Sequence, residues 1–170
     1  MWCASVRENL LHHIDALAAA TAPDEWHSVI RHADLAPGNV IVTAQGVAVL
    51  DFAMTSRGTR LHDLTRLSLQ IDLLRGKPQF RRTAVGRVRA ALHAGFDPGV
   101  SESGPLFRLL TLLHRVNHLG TLTLGRTAGV ARLYGSRLRR IHERSIVREL
   151  TVPISGTPAL SRGPRNERTT

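Results

Sequence analysis

Residues 31–52 read RHADLAPGNVIVTAQGVAVLDF, and how this stretch folds decides how the rest of the chain is read. Val40, Ile41 and Val42 form one aliphatic run and Val47 to Leu50 another; Thr43-Ala44-Gln45-Gly46 between them is a turn signal whose glycine can take a positive φ. The pattern predicts a β-hairpin with a four-residue connection. With Val42 facing Val47, Asn39 falls opposite Leu50 and beside Asp51, because paired strands lie about 5 Å apart. Pro37-Gly38 turns the chain just ahead of Asn39, so Asp34 folds back over the same end. Two carboxylates and an amide converge there, and Arg31 is the one basic side chain close by in sequence. Such oxygen ligands suit Mg2+ carrying phosphates, since that ion commonly takes only one or two carboxylates beside the phosphates themselves.

These residues also resemble a known family. HADLAPGN followed by VLDF resembles the catalytic and metal-binding segments of the aminoglycoside phosphotransferase and choline kinase family, a branch of the protein-kinase-like fold whose usual form is HGDLHPGN followed by IDF or LDF. The resemblance implies that Asp34 orients or deprotonates an acceptor hydroxyl, that Asn39 and Asp51 bind Mg2+ on ATP, and that His32 braces the loop. Asp63, in HDLTRL, resembles a family acid that holds the catalytic loop. The chain departs from the pattern at Ala33, where glycine is usual, and at Ala36, where a basic residue is common. The change at Ala33 matters little if the backbone there is not left-handed.

Composition narrows the other readings. A length of 170 residues with 42% hydrophobic content suits one domain with a real core. A formal charge of +10 and a pI near 11.6 raise nucleic acid or an anionic membrane as partners. The charge is almost all arginine, however, with Lys77 the single lysine, and it is spread over the predicted helices. With 4% aromatic residues and no recognition motif, nucleic-acid binding is disfavoured. Cys3 stands alone, so an internal disulfide, a zinc ribbon and a CxxC redox site are excluded. No stretch is apolar enough to span a membrane, and Glu8, His12, His13 and Asp15 interrupt the run a signal peptide needs. The expected compartment is the cytoplasm.

Apolar periodicity predicts a helix over 5–20, capped by Ser5 and Glu8 and packed beneath the loop. A short extended piece follows at 26–30, and 55–59 reads as a polar loop. Further helices are predicted at 61–74, 80–94, 105–119 and 130–150, the third apolar nearly all round, with a Thr/Gly-rich break at 120–129. His114 and His118 are four apart on that helix but lack a third ligand, so they read as core or surface histidines. Residues 151–170, with three prolines and no periodicity, read as a disordered basic tail, which leaves one domain over 1–150. The expected class is α+β, mainly α. By resemblance it is the helical C-lobe of a protein-kinase-like fold, with a small β-hairpin carrying the catalytic and metal segments.

About thirty residues precede the loop, too few at ordinary element lengths for the glycine flap, strand lysine and helix glutamate of an N-lobe. The expectation is a C-lobe with its N-lobe absent. Three origins fit: a truncated or wrongly started phosphotransferase, a chain that pairs with a separately encoded N-lobe, or a non-catalytic remnant that binds a partner or small molecule. An arginine-rich helical region poor in acids favours a neutral or anionic small-molecule hydroxyl acceptor over a polycationic antibiotic.

Overall fold

In the computed structural model, residues 2–124 and 130–154 are described. The hairpin forms where the aliphatic runs place it. Strand β2 (Val40–Thr43) pairs antiparallel with β3 (Gly46–Val49), and Val42 faces Val47. Thr43 and Gly46 are themselves paired, so the connection is the two residues Ala44-Gln45 rather than four. Gly46 takes φ +143°, a conformation that side chains with a Cβ rarely adopt. The Leu50 N–H donates to the Asn39 carbonyl at 2.8 Å, extending the pairing one step and setting Asn39 opposite Leu50.

A second ribbon replaces the polar loop expected at 55–59. Strand β1 (Ser28–Arg31) pairs antiparallel with β4 (Ser56–Thr59), with Ser28 opposite Thr59 and Arg31 opposite Ser56. SRGT has little strand propensity of its own, and its pairing is made across the intervening hairpin. A Cβ at Gly58 would lie 2.5 Å from Arg31 Nε, so glycine is what lets the Arg31 side chain lie flat across β4.

Among the described residues five α-helices make the body. Helix α1 spans Ala4–Ala20, but the Ser5/Glu8 capping box does not form: Cys3 is the N-cap, and Ser5 sits inside the helix with its Oγ 3.2 Å from Cys3 Sγ. Helix α2 spans Leu61–Leu74, as its periodicity predicts. Helix α3 (Arg82–Phe96) starts two residues later than expected because Arg81 is extended, with ψ 126°. Helix α4 (Pro105–Leu124) continues through Gly120 instead of stopping at Leu119. Helix α5 spans Val130–Glu149. The rest of the expected break, 125–129, and the tail from 155 onward lie outside the described residues. Residues 151–154 pack back on α4, where Arg108 donates to the Val152 and Pro153 carbonyls.

Helix α4 is the centre of the core. It takes Leu61 and Leu64 of α2 on Leu106, Phe107 and Leu110, and Leu10 and Leu17 of α1 with Ile146 of α5 on Leu109 and Leu112. It is not buried all round, since Leu113 is 41% exposed. The position of α1 is also corrected: its apolar face goes to α4 and α5, not beneath the loop. Helix α2 is gripped on further sides through Leu67, Ile71 and Val85 against α3, and through Leu69, Leu73 and Leu138 against α5. Leu35, from the loop itself, packs on the α2–α3 cluster. Each such aliphatic side chain contributes about 2 kcal/mol on burial, so α2 is a fixed platform and Leu35 pins the loop to it.

Candidate functional site

The site is built on His32, which is 7% exposed and ties both ends of the 31–52 stretch together. Its backbone N–H donates to Asp63 Oδ2 at 2.6 Å, and the Ala33 N–H donates to Asp63 Oδ1 at 2.9 Å. The His32 ring reaches the Leu50 carbonyl through Nε2 at 2.7 Å and accepts the Asp34 N–H at Nδ1, 3.3 Å away. One nitrogen therefore donates and the other accepts, which assigns the Nε2–H tautomer. The ring centroid also lies 4.9 Å from that of Phe52. Asp63, from the first turn of α2, thus clamps the start of the loop, and His32 clamps that loop to the end of the hairpin.

Backbone strain sits at the same place. Ala33 has φ 65° and Asp51 has φ 60°, the positive-φ non-glycine residues among those described. A left-handed residue with a Cβ costs about 1 kcal/mol. The substitution of alanine at the usual glycine position therefore does carry a cost, because the backbone there is left-handed. Strain of this kind persists only where the surroundings over-determine it, and Asp63 holds Ala33 in place by its N–H.

The Asp34 carboxylate does not stand with Arg31. Arg31 Nε donates to Ser56 Oγ at 3.2 Å, along the second ribbon. Asp34 Oδ1 instead pairs with Arg66 Nη2, a partner that sequence reasoning missed. The pair is 32 residues apart in sequence. The one signal for it was that Arg66 follows Asp63 by three positions and so lies near it on the same side of α2.

Asn39 donates from Nδ2 to the Asp34 carbonyl at 3.1 Å, which leaves Oδ1 as the atom available to a cation. Asp51, next to the residue paired with Asn39, is exposed. An amide oxygen and a carboxylate are hard donors that fit Mg2+, provided waters and phosphate oxygens complete the shell. Among the described residues no group of three or more His, Cys, Asp or Glu side chains is placed to hold a metal without such help.

The remaining histidines sort into pairs in the helical body. His114 Nε2 lies 3.2 Å from the His62 carbonyl, and its ring is 4.6 Å from that of His62. His118 Nδ1 lies 2.7 Å from His142 Nε2. His114 and His118 thus face different partners. Burial, with the neighbouring ring of His62 adding to it, pushes His114 down to about 4. Burial and then His118 push His142 down to about 4 as well.

A family model described as the phosphotransferase enzyme family matches residues 3–105, more than half of the chain. The chain belongs to the phosphotransferase enzyme family. The matched region of this phosphotransferase-family domain runs from α1 through both ribbons, α2 and α3 to the first residue of α4. Searches of curated proteins and of solved structures returned no match. No helix among the described residues is long and apolar enough to cross a membrane.

Proposed function

We propose that this phosphotransferase-family domain transfers a phosphoryl group from Mg-ATP to a hydroxyl of a small molecule, as the helical lobe of a kinase-like pair. The observation that carries the reading is the set of bonds from His32 to Asp63, Asp34 and Leu50, which draws Asp34, Asn39 and Asp51 to one end of the hairpin. Asp34 orients the acceptor hydroxyl and takes its proton as the hydroxyl oxygen bonds to the γ-phosphorus and the bond to the ADP oxygen breaks. Asn39 Oδ1 and the Asp51 carboxylate hold Mg2+, which when bound neutralises charge on the phosphates. Arg66 fixes where the Asp34 carboxylate points.

Clamping the α and β phosphates takes a second lobe in this fold. Exposed apolar side chains support such a partner: on the ribbons Ile30 is 76% exposed and Val42 75%, and in the short turn between β3 and β4 Met54 is 63% and Phe52 60% exposed. Single exposed apolar residues are ordinary, but several of them along residues 30–54 fit a surface that is covered in use. The same exposure supports the second reading, a non-catalytic module that binds a partner or small molecule here. The acceptor we favour is neutral or anionic, in keeping with the basic helical region.

Calorimetry with Mg-ATP on the chain and on Asp51→Asn tests the nucleotide reading. We expect Mg-dependent heat of binding that Asp51→Asn removes. Binding that ignores the substitution, or absence of binding in both proteins, overturns it.

A further inference from the structure

Between α2, α4 and α5 lies a cavity of about 360 Å³, large enough for a small ligand, whose sites begin near about 300 Å³. Helix α2 turns Thr65, Ser68 and Asp72 toward it and Arg66 toward Asp34, so it is separate from the site above. Each carboxylate on its wall has an arginine within ion-pair distance, though Asp72 Oδ1 is buried without a hydrogen bond among the described residues. Asp72 lies 3.1 Å from Arg89 Nε, and Glu102 takes Arg89 Nη1 and Nη2 at 2.7 and 2.5 Å. Glu149 takes Arg108 Nε at 2.7 Å.

Arg115 is left over. It lines the cavity yet makes no hydrogen bond or ion pair among the described residues. Burial works against its charged form, offset only in part by the more distant Asp72 and Glu149. One helical turn before it on the same face, the Thr111 hydroxyl is buried and also without a partner. The buried Thr111 hydroxyl calls for a partner, because buried polar groups are ordinarily bonded, and the half-buried Arg115 guanidinium faces the same cavity unpaired. A planar guanidinium presents a fork that matches the paired oxygens of a carboxylate or phosphate. Arg148, exposed and lining the same cavity, adds positive charge on the approach.

We propose that this cavity is a binding site for a small oxyanion, a carboxylate or phosphate group, held by the Arg115 guanidinium and the Thr111 hydroxyl. Water is the competing occupant, and it would leave the guanidinium charge only partly offset by Asp72 and Glu149. The site is independent of the nucleotide reading.

Thermal unfolding without magnesium, in inorganic phosphate or in acetate against chloride at equal ionic strength, tests it. At a hundredfold excess over Kd the bound anion should raise Tm by about 5 °C or more. The wild-type chain and Asp51→Asn should both show the rise, and Arg115→Met should not. A response to phosphate alone assigns a phosphate site, to acetate alone a carboxylate site, and to both a general oxyanion site. If Arg115→Met does not fold, Thr111→Val keeps the charge and should weaken the anion's affinity about tenfold. No rise with either anion, or a rise undiminished in both Arg115→Met and Thr111→Val, overturns the proposal.

Discussion

The guanidinium of Arg66 pairs with the carboxylate of Asp34, joining the first turns of α2 to the loop ahead of the hairpin. Both ends meet solvent, with side chains 24% and 40% exposed. A pair this wet contributes only about 0.5–1 kcal/mol. Arg66→Met should therefore shift the urea midpoint slightly while freeing the Asp34 carboxylate. A loss above about 3 kcal/mol would place the pair among buried ones instead.

Asp63 should matter more than its exposed neighbours on α2. It accepts two backbone N–H groups at once, from His32 and Ala33. Asparagine has one acceptor oxygen, so Asp63→Asn must strand one of the two. We expect a loss of about 2 kcal/mol in urea unfolding, together with faster amide exchange at His32 and Ala33. Unchanged exchange at both amides would show that the clamp does not hold the loop.

Ala33 offers the opposite kind of change. Glycine removes about 1 kcal/mol of left-handed strain, offset partly by the greater freedom of an unfolded glycine. Ala33→Gly should be more stable by roughly 0.5 kcal/mol, and Ala33→Val less stable by at least about 1 kcal/mol because a β-branched side chain fits that backbone worse. Paired thermal melts read both signs. A Val variant as stable as the Gly variant would contradict the observed φ.

Acid should loosen the helical body before it protonates most carboxylates. His114 and His142 titrate near 4 in the fold, against about 6.5 in the unfolded chain. The unfolded state then binds more protons between those values, so stability is full above about pH 6.5 and falls as pH drops toward 4. Allowing for screening, each ring contributes on the order of 1–2 kcal/mol. Urea midpoints at pH 7.5, 6 and 4.5 should decline in that order, and His142→Gln should flatten the slope. A flat profile across this range would remove the linkage.

What the sequence made legible was what is local. The apolar spacing of Leu64, Leu67 and Ile71 marks α2, and the two aliphatic runs mark the hairpin and its Val42–Val47 register. The convergence of Asn39 and Leu50 follows from that register alone. What stayed hidden depends on distant chain. Strand β4 is Ser-Arg-Gly-Thr, and only its pairing with β1, 25 residues away from Arg31 to Ser56, makes it a strand. The Asp34–Arg66 pair is similarly non-local. The Ser5/Glu8 box failed for a local reason, since the helix begins at Ala4 and encloses Ser5. The left-handed Ala33 could not be read from its own identity, because alanine gives no hint of positive φ.

Among the described residues both ribbons are two strands wide, so β1, β2, β3 and β4 are all edges there. Every one carries a row of backbone donors and acceptors turned away from its single neighbour, beside side chains as apolar as Ile30 and Val42. Open edges of that kind are templates for adding another strand. A concentrated solution of this chain should therefore lose material to strand-on-strand assembly at the ribbons while its helices remain folded, and a charged residue in place of Val42 would be the first remedy to try.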